Sequence, residues 1–258
     1  MFWHGPPLSR LERLCMSSFI ANGHGVHLHV YDEPARVPPG VTLMDAADVL
    51  PRRHLFAHAA SGSFALFADW FRYRLLHDKG GLWVDTDVVC LKPFDHGGEE
   101  IFAWQDSLVI NNAVLGLSRG HKLAQLMAER CERPNRFAPY DSLKARRRKL
   151  TRMLLPGSPR KQLRWGETGP QGFTEAARHL GYATRALPFW HFYPIHYLNW
   201  YAAFDTTLRD NAGFVGSSYG LHLWNEMTRR QPLFDKNAHF SPESLFERLC
   251  ARFLTSDS

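Results

Sequence analysis

The chain has 258 residues, 45% of them hydrophobic, and a formal net charge of +6. That is enough to bury one sizeable α/β core, no run approaches the roughly 18 apolar residues of a membrane-spanning helix, and "MFWHGPPLSR" lacks the basic start and apolar stretch of an export leader. Nine Lys and Arg with no acid fall between Lys144 and Arg164, which leaves the remainder net acidic and argues against a uniformly basic nucleic-acid binder. Cys15, Cys90, Cys131 and Cys250 are scattered, neither spaced as zinc ligands nor dense as a disulfide scaffold, in keeping with a reducing compartment. The expectation is one soluble, cytoplasmic domain over 1–258, with a basic insertion at about 140–165 that could sit peripherally on the inner face of a membrane.

From Ser9, Leu11, Leu14, Cys15, Ser18 and Phe19 recur at helical spacing, with Gly23 placed as a C-terminal cap. "VHLHVY" (26–31) alternates as a strand. With the apolar start at Met1–Trp3, this makes a βαβ unit whose ligand crevice lies beyond the strand ends, at Trp3, His4, Tyr31 and Asp32. His27 and His29 share a side of the strand and read as polar positions, since two histidines make no metal site. "VTLMDAADVLP" reads as a strand followed by a helical turn or two, closed by Pro51.

The clearest helix starts near Ser61 and ends at Gly80, with Phe64, Phe67, Ala68, Phe71 and Leu75 on its apolar face. Asp69 and Arg72, spaced i, i+3, are expected on another face as neighbours. "LWVD" follows as a buried strand running into "DTD". In extended chain, residues i and i+2 project to one side about 6.6 Å apart, so Asp85 and Asp87 are expected to share a site, with Thr86 turned away. Two carboxylates so placed repel unless a cation lies between them. Hard oxygen ligands suit Mn²⁺ or Mg²⁺, which complete their shells with phosphate oxygens and water.

"IFAWQDSLVINNAVLGL" reads as short strands with Asn111 and Asn112 between them, as a turn or as amides offered to hydroxyls, and a helix begins near His121. The stretch from Lys144 to Arg164 reads equally as a solvated loop or as a surface for anionic headgroups, with Leu150, Met153, Leu154 and Leu155 set among its cations. It contains no aromatic residue on which bases could stack. A helix runs from about Pro170 to Gly181, and a late strand brings His222, Trp224 and Asn225 close together.

Three readings of the two acids stay open on residues alone. In the first, Asp85 is the nucleophile of a haloacid dehalogenase-like phosphohydrolase. That chemistry needs a second acidic pair, for which Asp205 and Asp210 lack the glycine-led spacing. In the second, the protein is a non-catalytic, basic lipid-binding protein. In the third, the acids hold a divalent ion against a nucleotide-sugar diphosphate. Here the sequence resembles the DxD-region glycosyltransferases of family 32, whose pattern is matched by Ala68, Asp69, Arg72, Tyr73, Gly80, Gly81, Trp83, Asp85 and Asp87. The likeness extends to "FWHGPPLSR", "INNAVLGLS", "ETGPQGFT" and "LHLWN", leaving the basic segment and the tail after Arg230 unmatched.

The resemblance implies a GT-A type, Rossmann-like α/β fold with a mostly parallel sheet. It implies a metal-dependent, retaining transferase moving a hexose from a nucleotide-sugar, foremost a UDP-sugar, to a saccharide or glycolipid acceptor. It assigns the metal to Asp85, Asp87 and His222, the chemistry to Asp85, Asp87, Asp69 and Arg72, and donor contacts to Trp3, Tyr31, Asn111, Asn112 and Trp224 besides. Trp3 would lie on the base, and Trp224 would reach the leaving diphosphate through its indole N–H.

Overall fold

The computed structural model describes residues 1–94, 100–208 and 215–254. The chain groups into two compact units that it visits alternately. One holds residues 1–45, 84–94 and 188–254, the other 46–83 and 100–187. The architecture is α/β, as expected.

In the first unit, β1 (Phe2–Trp3), β2 (Val26–Val30) and β3 (Val41–Asp45) form a parallel sheet in the order β1-β2-β3. Helix α1 (Arg10–Ala21) is the expected crossover, started by a capping box in which Ser9 and Glu12 satisfy each other's end of the first turn. It buries Leu11, Leu14, Cys15 and Phe19. β5 (Val88–Cys90) pairs antiparallel with β8 (Gly220–His222). Short helix α6 (Asn225–Arg229) and α7 (Leu245–Phe253) follow. α7 docks on α1 through the Arg10–Glu247 pair, with Nη2 2.6 Å from Oε2. Phe204 lies 4.8 Å from Phe234 and 5.0 Å from Phe246 between ring centroids, contacts each worth about 0.5–1.5 kcal/mol beyond area burial. The tail after Arg230 is thus part of this core.

In the second unit, α2 (Ala65–Lys79) leads through Gly80 into β4 (Gly81–Val84), whose sheet runs β4-β7-β6 with β6 (Ile101–Trp104) antiparallel to β7 (Ile110–Leu117). Gly80 has φ 70°, and a Cβ there would meet the Arg119 backbone nitrogen at 2.6 Å, so only glycine fits. Helices α3 (Lys122–Glu132) and α5 (Pro170–His179) pack with α2 and β7, and α4 (Leu143–Leu154) follows α3.

Three expectations are corrected. Helix α2 is not amphipathic: Asp69, Trp70, Arg72 and Tyr73 are buried along with Leu66, Phe67 and Phe71, while Ala68 and Leu75 are half-buried. A helix buried on most sides has no stripe to read. Asn111 and Asn112 lie inside β7, both buried, because the apolar segments flanking them form one eight-residue strand. The basic segment is not a loop, since most of it is helix α4, capped by Ser142 through the Ala145 N–H.

Two cations of α4 face inward. Lys149 Nζ is 2.7 Å from Asp141 Oδ2 and donates to the Arg136 carbonyl. Arg152 bonds Glu167 through both guanidinium nitrogens, at 2.9 and 3.1 Å, and donates to Asn135 and Pro134 as well. Burial alone would raise the Glu167 carboxyl, but Arg152 outweighs it and the pKa is lowered.

Candidate metal centre

β4 delivers the chain to Asp85, and the strand stops there. Residues 85–88 make a turn, closed by the Val88 N–H on the Asp85 carbonyl at 3.2 Å. The acids therefore converge through a turn and not along an extended strand, and Thr86, expected to face away, is itself buried.

The β5–β8 register supplies the third group. Val88 sits opposite His222, and the Leu223 N–H donates to the Asp87 carbonyl at 2.9 Å. As a result, one ligand atom from each of Asp85, Asp87 and His222 lies within 4.8 Å of the others. Two carboxylates and an imidazole at that separation suit a borderline-hard divalent ion such as Mn²⁺ or Mg²⁺ better than a thiolate-seeking one. Asp85 is half-buried, whereas Asp87 and His222 are buried.

Asp87 Oδ2 accepts from the Asn225 N–H at 2.7 Å and lies 3.1 Å from His222 Nε2. Burial would raise this carboxyl, yet the facing imidazole and the Asn225 N–H outweigh it, so its pKa is lowered and the group stays ionised. The Asn225 contribution was not foreseen; its only signal in the sequence was its proximity to His222.

Trp224 lines this corner with its ring 4.1 Å from that of His222. Its backbone is left-handed, φ 55° and ψ 54°, an uncommon conformation for a bulky residue. The indole N–H, expected on a diphosphate, here donates to the Ile195 carbonyl at 2.8 Å. Tyr31 stands edge-on to Phe2 and His4, and the half-buried Trp3 donates its indole N–H to the Pro6 carbonyl at 2.9 Å.

In the second unit, the remaining residues form a polar cluster of their own. Asp69 accepts from Asn112 Nδ2 at 3.0 Å and from the Thr168 hydroxyl at 3.1 Å. Arg72 lies 3.8 Å from Asp69, donates to the Asn112 carbonyl, and stacks 5.0 Å above Trp83. Tyr73 accepts from Asn112 and donates to the Thr168 carbonyl. Asn111 instead bonds Gln105 and the Ala113 N–H. Thr168 and Tyr73 were not singled out as site residues. Both lie within matched motifs, but nothing in their spacing shows that they meet.

The family model described as "Glycosyltransferase sugar-binding region containing DXD motif" matches residues 45–109, and "Alpha 1,4-glycosyltransferase conserved region" matches 161–256. Together they cover well over half of the chain. Both are glycosyltransferase models, and the first carries the DXD region. The second match includes the tail after Arg230, which the motif reading left out. The human alpha-1,4-N-acetylglucosaminyltransferase is 25% identical over 72% of this chain and 50% of its own length. The rat lactosylceramide 4-alpha-galactosyltransferase is 27% identical over 69% of this chain and 48% of its own. The chain thus spans about half the length of these curated relatives. Among solved structures, the PaToxG glycosyltransferase superposes with a TM-score of 0.46 at 14% identity, over 70% of this chain and 68% of that one.

The family match leaves the phosphohydrolase reading without support. Of its second acidic pair, Asp205 caps the Thr207 N–H and Asp210 lies outside the described residues. Among the described residues, no helix is long and apolar enough to cross a membrane.

Proposed function

We propose that this protein is a metal-dependent, retaining glycosyltransferase that moves a hexose from a nucleotide-sugar, foremost a UDP-sugar, to a saccharide or lipid-linked acceptor. The observation that carries the proposal is the convergence of Asp85, Asp87 and His222. The two acids come from one matched family region and the histidine from the other.

Asp85, Asp87 and His222 would hold Mn²⁺ or Mg²⁺. Once bound, the ion would offset negative charge growing on the diphosphate as the anomeric bond breaks. Asp87 is suited to this by being kept ionised and aimed, with Oδ2 pinned by the Asn225 N–H. Trp224 walls the corner against water and would meet the diphosphate only by exchanging its bond to Ile195. Trp3 and Tyr31 are assigned to the nucleotide base side, where binding energy remote from the reacting carbon serves to position it.

Asp69 and Arg72 are assigned to the donor sugar by the family motif, and Asn111 and Asn112 to donor contacts by the amides they carry. The bonds of Asp69 to Asn112 and Thr168 would fix the direction from which they act. No further carboxylate is assigned as a covalent nucleophile, so the acceptor hydroxyl is proposed to attack on the face that the diphosphate leaves, passing its proton to a departing phosphate oxygen.

The test is a panel of UDP- and GDP-sugars with Mn²⁺, scored for nucleoside diphosphate release and its loss on chelation. Release from one donor, abolished by Asp87→Asn, supports the proposal. Phosphate release from simple monoesters by the same protein, with all nucleotide-sugars left intact, would overturn it. A trapped glycosyl-enzyme adduct would remove the same-face step alone.

A further inference from the structure

Helix α4 faces two ways. Its inward seam is Ala145, Lys149 and Arg152, at i, i+4 and i+7, with both cations held in buried ion pairs. Leu143, Leu150 and Leu154, at i, i+7 and i+11, fall on one stripe pointing away from that seam. They are 76%, 52% and 87% exposed, and Met153 and Leu155 add a further half-exposed apolar margin. A folded helix normally turns such a stripe toward a core, so this one is inverted.

Cations flank the stripe. Lys144, Arg146 and Arg147 are exposed, and Arg148 is half-buried with its Nε lacking a hydrogen-bond partner among the described residues. Beside the stripe lies a groove of about 660 Å³ lined by Leu143, Lys144, Arg147, Arg148 and Arg164, among others. Glu167 is the acid in its wall, and both its oxygens are already taken by Arg152. Among the described residues, Lys144, Arg147, Arg148 and Arg164 make no ion pair, so the groove carries more positive than negative charge, with Glu167 as its acid.

We infer that α4 docks this protein on an anionic lipid bilayer, with the Leu143–Leu150–Leu154 stripe entering the acyl boundary and the adjoining cationic groove taking lipid phosphates. Charge complementarity selects the occupant. Lys and Arg beside an anionic surface attract its headgroups, and exposed leucines supply the apolar part. A single-stranded nucleic acid would want aromatic platforms, and none occurs between Lys144 and Arg164. The buried pairs of Lys149 and Arg152 make α4 a rigid foot, because they lock its inward side to the loops at residues 134–141 and 167. The inference does not depend on the catalytic reading, and its test uses no turnover.

The experiment is co-sedimentation of the whole protein with vesicles of phosphatidylcholine alone or mixed with about one-quarter phosphatidylglycerol. Retention should be at least tenfold greater on the anionic vesicles and should fall in about 0.5 M salt, where screening shortens to a few Å. Leu150→Ser combined with Leu154→Ser keeps every charge and should weaken binding roughly tenfold or more. Lys144→Glu with Arg147→Glu should abolish it. These side chains are exposed, so each variant should melt with the parent protein. Equal retention on the two vesicle types, or undiminished binding by the leucine variant, would refute the docking.

Discussion

Asp85 and Asp87 in the first unit and Asp141 and Glu167 in the second are all carboxylates set beside a packed core, yet they are treated in opposite ways. Asp141 and Glu167 each own a cation, Lys149 at 2.7 Å and Arg152 through two bonds, so their charge is closed within the fold. Asp85 and Asp87 instead share a corner with one imidazole, and their ligand atoms converge. Buried charge that is matched one-to-one serves the architecture. Carboxylates whose ligand atoms converge with an imidazole are instead arranged as a metal site would be. The same contrast holds along α4, where the inward cations are matched and the outward ones are not.

Breaking the convergent corner should cost function far more than stability. Asp87→Asn keeps an acceptor for the Asn225 N–H but removes the charge. Donor turnover should fall a thousandfold or more, on the order of 4 kcal/mol, with thermal unfolding lowered only modestly, because the ionised carboxylate is favoured in the fold by His222 and the Asn225 N–H. Single-donor kinetics with Mn²⁺ and a thermal melt check both halves. Breaking a closed pair should do the reverse. Glu167→Gln strands Arg152 in the core and should cost about 3 kcal/mol in chemical denaturation, while Mn²⁺ affinity stays as in the parent. A loss of metal affinity equal to that of Asp87→Asn would erase the distinction between the two regions.

The core also holds a titratable group in its neutral form, and acid should expose it. Burial above all pushes the His29 imidazole down to about 4. The unfolded group takes a proton near its ordinary pKa of about 6.5, so its contribution is intact above that pH and is lost as pH falls toward 4. The loss is on the order of 2 kcal/mol after allowance for solvent screening. Denaturation midpoints of the parent and His29→Gln at pH 7 and pH 4.5 should converge on the acid side. The smallest effect expected is Ser9→Ala, which removes one half of the α1 capping box and should cost about 1 kcal/mol.

Much of this was legible from local patterns. The spacing of Leu11, Leu14, Cys15, Ser18 and Phe19 announces α1, Gly80 announces the end of α2, and the Asp85–Asp87 pair announces the corner that His222 joins. What stayed hidden depends on chain segments that meet from afar. The sequence places Asp69 and Arg72 as i, i+3 neighbours but does not show what buries Asp69, because its partners, Asn112 and Thr168, are 43 and 99 residues away. Lys149 and Arg152 read as two more cations in a basic run, since Asp141 and Glu167 lie outside the acid-free stretch. The Asn111–Asn112 pair reads as a turn or as amides offered to hydroxyls, and not as strand interior, because amides inside a fully buried strand are rare unless paired.

The left-handed backbone at Trp224 has a cost and a use. Glycine would adopt φ 55° without strain, and a bulky side chain there forfeits on the order of 1 kcal/mol or more of conformational ease. Around it, the Trp224 ring lies 4.1 Å from that of His222 and the Asn225 N–H reaches Asp87 Oδ2, so a ring and a backbone amide from adjacent residues meet in the same carboxylate neighbourhood. A Trp224→Gly chain would be freer to relax and for that reason worse at holding the corner open, a local sacrifice of ease for aim.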